Sequence, residues 1–369
     1  MIYLDNNATT NLHPDALEKM MTLQRKPMNP SSVHAYGRKA RSLIESARKS
    51  VAKLLGFDYS TKEYQLIFTS SGTEANQLVM SNFQDGEIFI SGIEHISILA
   101  HNKLRDNITV INVDNNGLLD QADLETKLQA SKSEKKLVSI MLANNENGII
   151  QPIKEICDIA HKYGALMHSD CVQAVGKIDC NITKLDLDFA SISAHKFNGP
   201  LGAAALISRI NVPIKPIIIG GGQERSLRSG TENVLAIVGF GVAADIASKD
   251  LTHRAEHFKK LQLKLESALL MQNPNIKIIG TNTKRLPNTS LIVNVGKKAE
   301  TQLIALDLRG VAVSSGAACS SGKTSPSHVL LAMGYDEDEA GAAIRISTGI
   351  ETTEQDIDNF IKIYNEINS

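Results

Sequence analysis

Apolar and polar positions change period repeatedly along this chain. Between Tyr64 and Ser193, short apolar runs of strand length alternate with stretches whose apolar residues recur at helical spacing. The runs at 64–70, 87–91, 109–113, 136–143, 165–169 and 188–193 read as strands, and 96–104, 121–128 and 153–163 as helices. Upstream, 13–24 reads as a helix with Pro14 at its first position. A second helix carries Ala40, Leu43, Ile44, Ala47, Val51, Leu54 and Leu55 on one face, with Gly56 as its stop. Such alternation predicts an α/β fold with a mostly parallel sheet covered by helices on both faces.

The pattern changes after residue 233. A helical period runs to about 272, followed by strands at 276–280, 290–295, 311–314 and 344–348 and a helix at 301–308. The last helix opens with a Thr352-x-x-Gln355 capping box. This predicts a boundary near residue 248, between a large unit over 13–248 and a smaller α+β unit over 249–369.

In sheets of this kind ligands sit at the carboxyl ends of the strands. Thr73, His95, Asn145, Asp170 and Lys196 all fall at such ends, and that clustering gives the chain its chemistry. Lys196 follows a buried strand in Ser193-Ala-His-Lys196, where a partly desolvated amine loses proton affinity and can form a Schiff base. An ordinary structural lysine is the competing reading. Ser71-Gly-Thr-Glu74 links a strand to a helix N-terminus, either as a phosphate cradle or as a plain capped turn. It lacks the GK[ST] ending of a P-loop. Asp170 is placed either to pair with a pyridine nitrogen or to cap a helix, and His95 either to stack and shuttle protons or to serve structure. The loop from Ile217 to Thr231 reads as a flexible connection able to offer a hydroxyl and backbone amides to an anion.

Composition narrows the field. The 369 residues are 42% hydrophobic and 21% charged, with a formal net charge of −1, so no bulk field favours nucleic acid or an anionic membrane. No apolar run of about 18 residues predicts a membrane span, and the start lacks a signal-peptide pattern. A cytoplasmic protein is expected. The four cysteines form no CxxC pair, and no metal-ligand set is read from them. Cys157 and Cys180 are expected buried and inert, whereas Cys171 is open. Cys319 lies in Ser314-Ser-Gly-Ala-Ala-Cys-Ser-Ser-Gly-Lys323, small residues that suit a mobile, exposed loop. Its thiol is either a nucleophile or inert.

Together these residues meet the needs of an aldehyde cofactor with a phosphate and a pyridine ring. The chain also resembles, essentially end to end, the cysteine desulfurases of the nitrogen-fixation and iron–sulfur-cluster assembly type. These belong to the class V aminotransferase branch of fold type I pyridoxal phosphate (PLP) enzymes. The resemblance is carried by Tyr3-Leu-Asp-Asn-Asn-Ala-Thr-Thr10, Asn29-Pro-Ser, Phe68-Thr-Ser-Ser-Gly-Thr-Glu74, Glu94-His95, Asn144-Asn-Glu-Asn-Gly148, His168-Ser-Asp170 with Gln173, and Ser193-Ala-His-Lys196. Gly220-Gly-Gly-Gln-Glu-Arg, Arg228-Ser-Gly-Thr-Glu-Asn233, Ser314-Ser-Gly-Ala-Ala-Cys319 and Ile344-Arg345 continue it.

The resemblance implies a fold type I architecture with a seven-stranded-type sheet, in which residues 1–12 join the smaller unit, and it implies roles for these residues. Lys196 would bind PLP covalently, Asp170 would pair with the ring nitrogen, Gln173 would meet the ring hydroxyl, and His95 would stack and shuttle protons. Gly72, Thr73, Ser193 and His195 would hold the phosphate, joined by Thr231 from the other subunit of a homodimer. Arg345, Asn29 and Asn145 would bind the carboxylate of L-cysteine, and Cys319 would take its sulfur as a persulfide for delivery to a scaffold or carrier protein. Fe–S assembly, tRNA thiolation and cofactor synthesis are the pathways it leaves open. Two positions depart from the family pattern, Leu201 in place of lysine and Cys171 in place of alanine, and neither removes a catalytic group. Selenocysteine lyase, or another class V reaction, is the alternative within the family, and a non-catalytic sulfur relay is the alternative outside it.

Overall fold

The structure, a computed structural model, describes residues 1–273, 275–316 and 325–368. The apolar runs between Tyr64 and Arg209 pair into one seven-stranded sheet. Its order is Tyr64–Thr69, Ala204–Arg209, Phe189–Ser193, Leu166–Asp170, Lys136–Ser139, Glu87–Ser91 and Ile108–Ile111. Strand Ala204–Arg209 runs antiparallel to both its neighbours, and the other pairings are parallel. Side chains alternate between two apolar layers. Leu66, Phe68, Val138, Met167 and Ile192 face one, while Ile67, Ile88, Leu137, Phe189 and Leu206 face the other. Burial on both faces is why these strands read as continuous apolar runs.

Helix Ala35–Leu54 buries Ala40, Ile44, Ala47 and Val51 against the sheet, beside the first half of the 39-residue helix Val234–Gln272. At their crossing a Cβ on Gly241 would stand 2.6 Å from the Cα of Ala47, so a larger residue forces the helices apart. The second half of the long helix supplies Leu261, Leu265 and Leu269 to a separate core with Ile292, Ile344, Phe360 and Tyr364. That core lies on a four-stranded antiparallel sheet of order Ser314–Ser315, Ala343–Ser347, Thr289–Asn294 and Ile276–Ile278. The boundary expected near residue 248 therefore falls inside one continuous helix.

The first residues of the chain join this second region. Ile2–Tyr3 pairs in parallel with Val311–Ala312, and Asp5 bridges to Ser347. Residues 6–10 then cross to the large sheet, where the N–H of Thr10 donates to the His195 carbonyl at 2.9 Å.

Several boundaries differ from expectation. Strand 136–143 ends at Ser139, and helix 96–104 is an α-turn, Ile96–Leu99, followed by a 3₁₀ turn, Ala100–Lys103. The last helix is capped one residue later than expected. Thr353 Oγ1 accepts from the N–H of Asp356 at 3.1 Å, and the Asp356 carboxylate accepts from the N–H of Thr353 at 2.8 Å. Aspartate is short enough to close this reciprocal pair, and Thr352 Oγ1 instead accepts from the N–H of Gly349 at 2.9 Å.

Candidate active site

Strand Phe189–Ser193 is buried throughout and ends in a 3₁₀ turn, Ala194–Lys196. This turn aims the Lys196 amine back across the strand ends. Nζ donates to the carbonyls of Asn7 at 2.6 Å and Ala8 at 2.9 Å. Burial, then the Arg345 cation, pulls its pKa down to about 8, against the opposing fields of Asp170 and Asp5. The amine therefore has a free-base fraction of roughly a tenth at pH 7, far above that of an ordinary lysine.

Asp170 closes the neighbouring strand and is buried. One carboxylate oxygen accepts from Asn76 Nδ2 at 2.8 Å, the other from the N–H of Val172 at 3.0 Å. His95 caps the turn Ile96–Leu99 by accepting from the N–H of Ser97 at 3.2 Å on Nδ1, which also lies 2.8 Å from Ser97 Oγ. With Nδ1 engaged, Nε2 is the atom left for proton transfer. Burial and the Lys196 charge hold its pKa below the usual histidine range although Asp170 opposes them, so the ring is neutral at pH 7.

Helix Gly72–Ser81 begins beside these groups, with Ser71 Oγ accepting from the N–H of Glu74 at 3.1 Å. A Cβ on Gly72 would meet Val172 at 2.9 Å, so only glycine brings the amides of 72 and 73 this close to the strand ends. Gln173 donates from Nε2 to the Asn7 carbonyl at 2.9 Å. His195, 3.2 Å from Thr9 Oγ1, has its pKa pressed to about 4 by burial and the charges of Lys196 and Lys177. Arg345 reaches in from the second sheet, donating to Asp5 Oδ1 at 2.6 Å and to the Asn145 carbonyl at 2.9 Å.

Lys196, Asp170, His95, Gly72, Thr73, Gln173, His195, Asn145 and Arg345 line one cavity of about 410 Å³, together with Ser193, Ser314 and Ser315. Of the residues expected at the site, Lys196, His95, Asp170, Gln173, Gly72, Thr73, Asn145, Ser193, His195 and Arg345 thus come together. Asn29 does not join them. It is exposed, and its Oδ1 accepts from the N–H of Ser31 at 3.0 Å. Thr231 is also exposed and lines a separate hollow with Ser70 and Arg228. Cys319 lies outside the described residues. The other three cysteines are buried, which lifts the thiols of Cys157 and Cys171 to about 12 and raises that of Cys180 as well, so none is a ready nucleophile. Sequence reasoning missed Asn7, Asn76, Ser97 and Lys177. The motif Tyr3 to Thr10 was the available signal for Asn7, since its polar pair has no strand or helix pattern to explain it.

A family model for aminotransferase class-V matches residues 2–360. The chain belongs to the class-V aminotransferase family. It is 40% identical to a cysteine desulfurase of Cereibacter sphaeroides, across 98% of this chain and 94% of that one. With the cysteine desulfurase IscS of Dictyoglomus turgidum it shares 38% identity across 99% and 94%. The solved NifS-like protein of Rickettsia africae superposes with a TM-score of 0.96 at 49% identity, covering 100% of this chain and 99% of the other. The expected fold type I architecture is that of these relatives.

Class-V enzymes of this kind use PLP, and the cavity fits it. Asn76, Asn145 and Arg345 line the cavity, and their Oδ1, Oδ1 and Nε atoms are buried with no hydrogen-bond partner among the described residues. Buried polar atoms left unpaired are costly, and a polar occupant removes that cost.

Proposed function

We infer that this chain is a PLP-dependent cysteine desulfurase, converting L-cysteine to L-alanine and passing the sulfur to an acceptor for iron–sulfur cluster assembly. One observation carries the reading. A depressed amine, a buried carboxylate, a neutral imidazole and a guanidinium with a spare N–H converge on one cavity, in a chain alike along its length to cysteine desulfurases.

When bound, PLP supplies an electron sink conjugated to the substrate's α-carbon. Lys196 would hold its aldehyde carbon and Asp170 its protonated ring nitrogen. Gln173 would face the ring hydroxyl, and Gly72, Thr73, Ser193 and His195 would take the phosphate. Arg345 would bind the substrate carboxylate, helped by Asn145 beside it in the cavity. His95 Nε2 is the proton carrier beside the α-carbon. Cys319, as thiolate, attacks the substrate sulfur. The carbon–sulfur bond breaks, its electron pair and a proton complete the methyl group of alanine, and the enzyme keeps Cys–S–SH. Attack by an acceptor thiol on the outer sulfur then returns Cys319 to the thiol.

The assembled enzyme is a homodimer in this reading. Asn29 and Thr231 do not line the cavity of their own chain, and Val33, Leu201 and Ile219 are exposed apolar side chains that a second copy can cover. Residues 13–248 act as the cofactor-binding unit, and 249–369 with 1–12 as the unit carrying Arg345 and Cys319. No helix of the described residues is long and apolar enough to cross a membrane.

The test is alanine release and protein persulfide with L-cysteine, for wild type, Cys319→Ala and Lys196→Ala, with visible spectra. Wild type should show a PLP band and persulfide, Cys319→Ala the band without persulfide, and Lys196→Ala neither product. Full cysteine turnover by Cys319→Ala would remove the thiol from the mechanism and leave selenocysteine lyase or another class-V reaction. Sedimentation should give twice the chain mass at micromolar concentration.

A further inference from the structure

Only 3% of Lys177 is exposed, yet its amine meets no carboxylate among the described residues. Nζ donates to two amide oxygens, Asn7 Oδ1 at 2.9 Å and Gln173 Oε1 at 2.9 Å. The charges acting on it are those of Lys196 and Arg345, with Cys180 the titratable group that opposes them. Burial and the two cations draw its pKa well below lysine's ordinary value. Both of its side-chain acceptors are neutral amide oxygens, so the amine is held by hydrogen bonds alone. A plain apolar side chain fills such a space without burying an amine that lacks a counter-ion, so the value of this lysine lies in what it orients.

An amide side chain presents either its oxygen or its NH₂ to a neighbour, and the hydrogen bonds around it decide which. Lys177 occupies Gln173 Oε1, so the NH₂ of Gln173 is the end turned inward, 2.9 Å from the Asn7 carbonyl. The same amine holds Asn7 Oδ1, which also accepts from Asn288 Nδ2 at 3.1 Å. Asn7 is thereby locked by its side chain while its backbone carbonyl receives Lys196 Nζ at 2.6 Å.

We propose that Lys177 is a positioning residue, which fixes the donor end of Gln173 toward the cofactor's ring hydroxyl and anchors Asn7 beneath Lys196. The inference rests on the PLP reading above. A fixed donor at the ring oxygen stabilises its ionised form and loosens the proton shared with the neighbouring nitrogen. Loss of Lys177, by freeing that donor, makes the proton harder to remove.

The experiment is a pH titration of the visible band of the PLP-loaded enzyme, wild type beside Lys177→Met, with circular dichroism, thermal unfolding and PLP content as controls. Lys177→Met should bind PLP, and its band should titrate about half to one pH unit higher, the worth of one hydrogen bond. Turnover should fall through kcat with KM for cysteine little changed. A folded, PLP-loaded variant that titrates at the wild-type pH overturns the inference alone. A wild type with no PLP band overturns the cofactor reading and this inference with it. If Lys177→Met does not fold, ¹⁵N-lysine-labelled wild type is compared before and after PLP loading. A Lys177 Nζ signal that shifts on loading supports the inference, and one that does not move overturns it.

Discussion

Lys196 captures an aldehyde only as the free base, and its surroundings set the pH at which that form appears. Because its pKa lies at about 8, the rate of PLP capture by apoenzyme should climb with pH and level off above that value. Arg345 is the cation that, after burial, lowers it. Arg345→Gln should therefore move the midpoint upward, the more so because it leaves Asp5 unpaired beside the amine. Stopped-flow absorbance between pH 6.5 and 9 measures both, and a flat profile for wild type contradicts the assignment. The residues legible in the sequence at this scale share one trait. Asp170, His95 and Lys196 each follow a strand, so position alone raised their chemistry. Lys177 follows Gly176, outside any strand or helix of the fold, and reads like a surface lysine. Its burial depends on Asn7, 170 residues away, and no local pattern records such a contact.

Among the elements, the loop from Ile217 to Thr231 is more ordered than its glycines suggested. Glu224, Arg225 and Ser226 take positive φ of 44°, 60° and 66°, a left-handed turn that non-glycine residues resist. A buried, bidentate pair offsets that strain. Arg48 Nη1 and Nη2 each lie 2.9 Å from the Glu224 carboxylate, which also accepts from the N–H of Phe68 at 2.8 Å. Arg48→Ala leaves Glu224 charged and buried, so it should destabilise the fold by about 3–5 kcal/mol and loosen the segment that carries Thr231. Urea unfolding with hydrogen exchange over 220–231 reports both, and unchanged exchange there would separate the ion pair from the turn. The sheet was largely visible beforehand because its strands are apolar on both faces. Strand Ala204–Arg209 carries a weaker signal in the sequence. Its three consecutive alanines, Ala203 to Ala205, carry little strand preference, and it gains its place by pairing with strands on both sides.

For the molecule as a whole, the cavity's surroundings hold two protonated carboxyl groups. Glu94 and Glu146 are fully buried, and burial lifts each to about 8 against the hydrogen bonds of Ser91, Met141 and Ser327. The unfolded chain releases these protons near pH ~4.3, whereas the folded protein keeps them until about 8. Their contribution to stability is thus complete below the lower value and declines as pH rises toward the upper one. Glu94→Gln should flatten that decline between pH 5 and 8 in thermal unfolding curves. An unaltered slope would show that Glu94 ionises freely in the fold. The two-region plan was readable from the change of period near residue 233, but the shared helix was not, because one continuous apolar pattern serves two cores.

The pairing of the first residues with the strand that contains Arg345 also governs how the molecule comes into being. Lys196 and Asp170 leave the ribosome well before Arg345, and Asp5 and Asn7 have no Arg345 or Ser347 to meet until 340 further residues have been made. At ~5–20 residues per second the leading strand waits roughly tens of seconds for its partner. Each newborn molecule therefore remains without a finished site until Arg345 has emerged, and cofactor loading follows that moment.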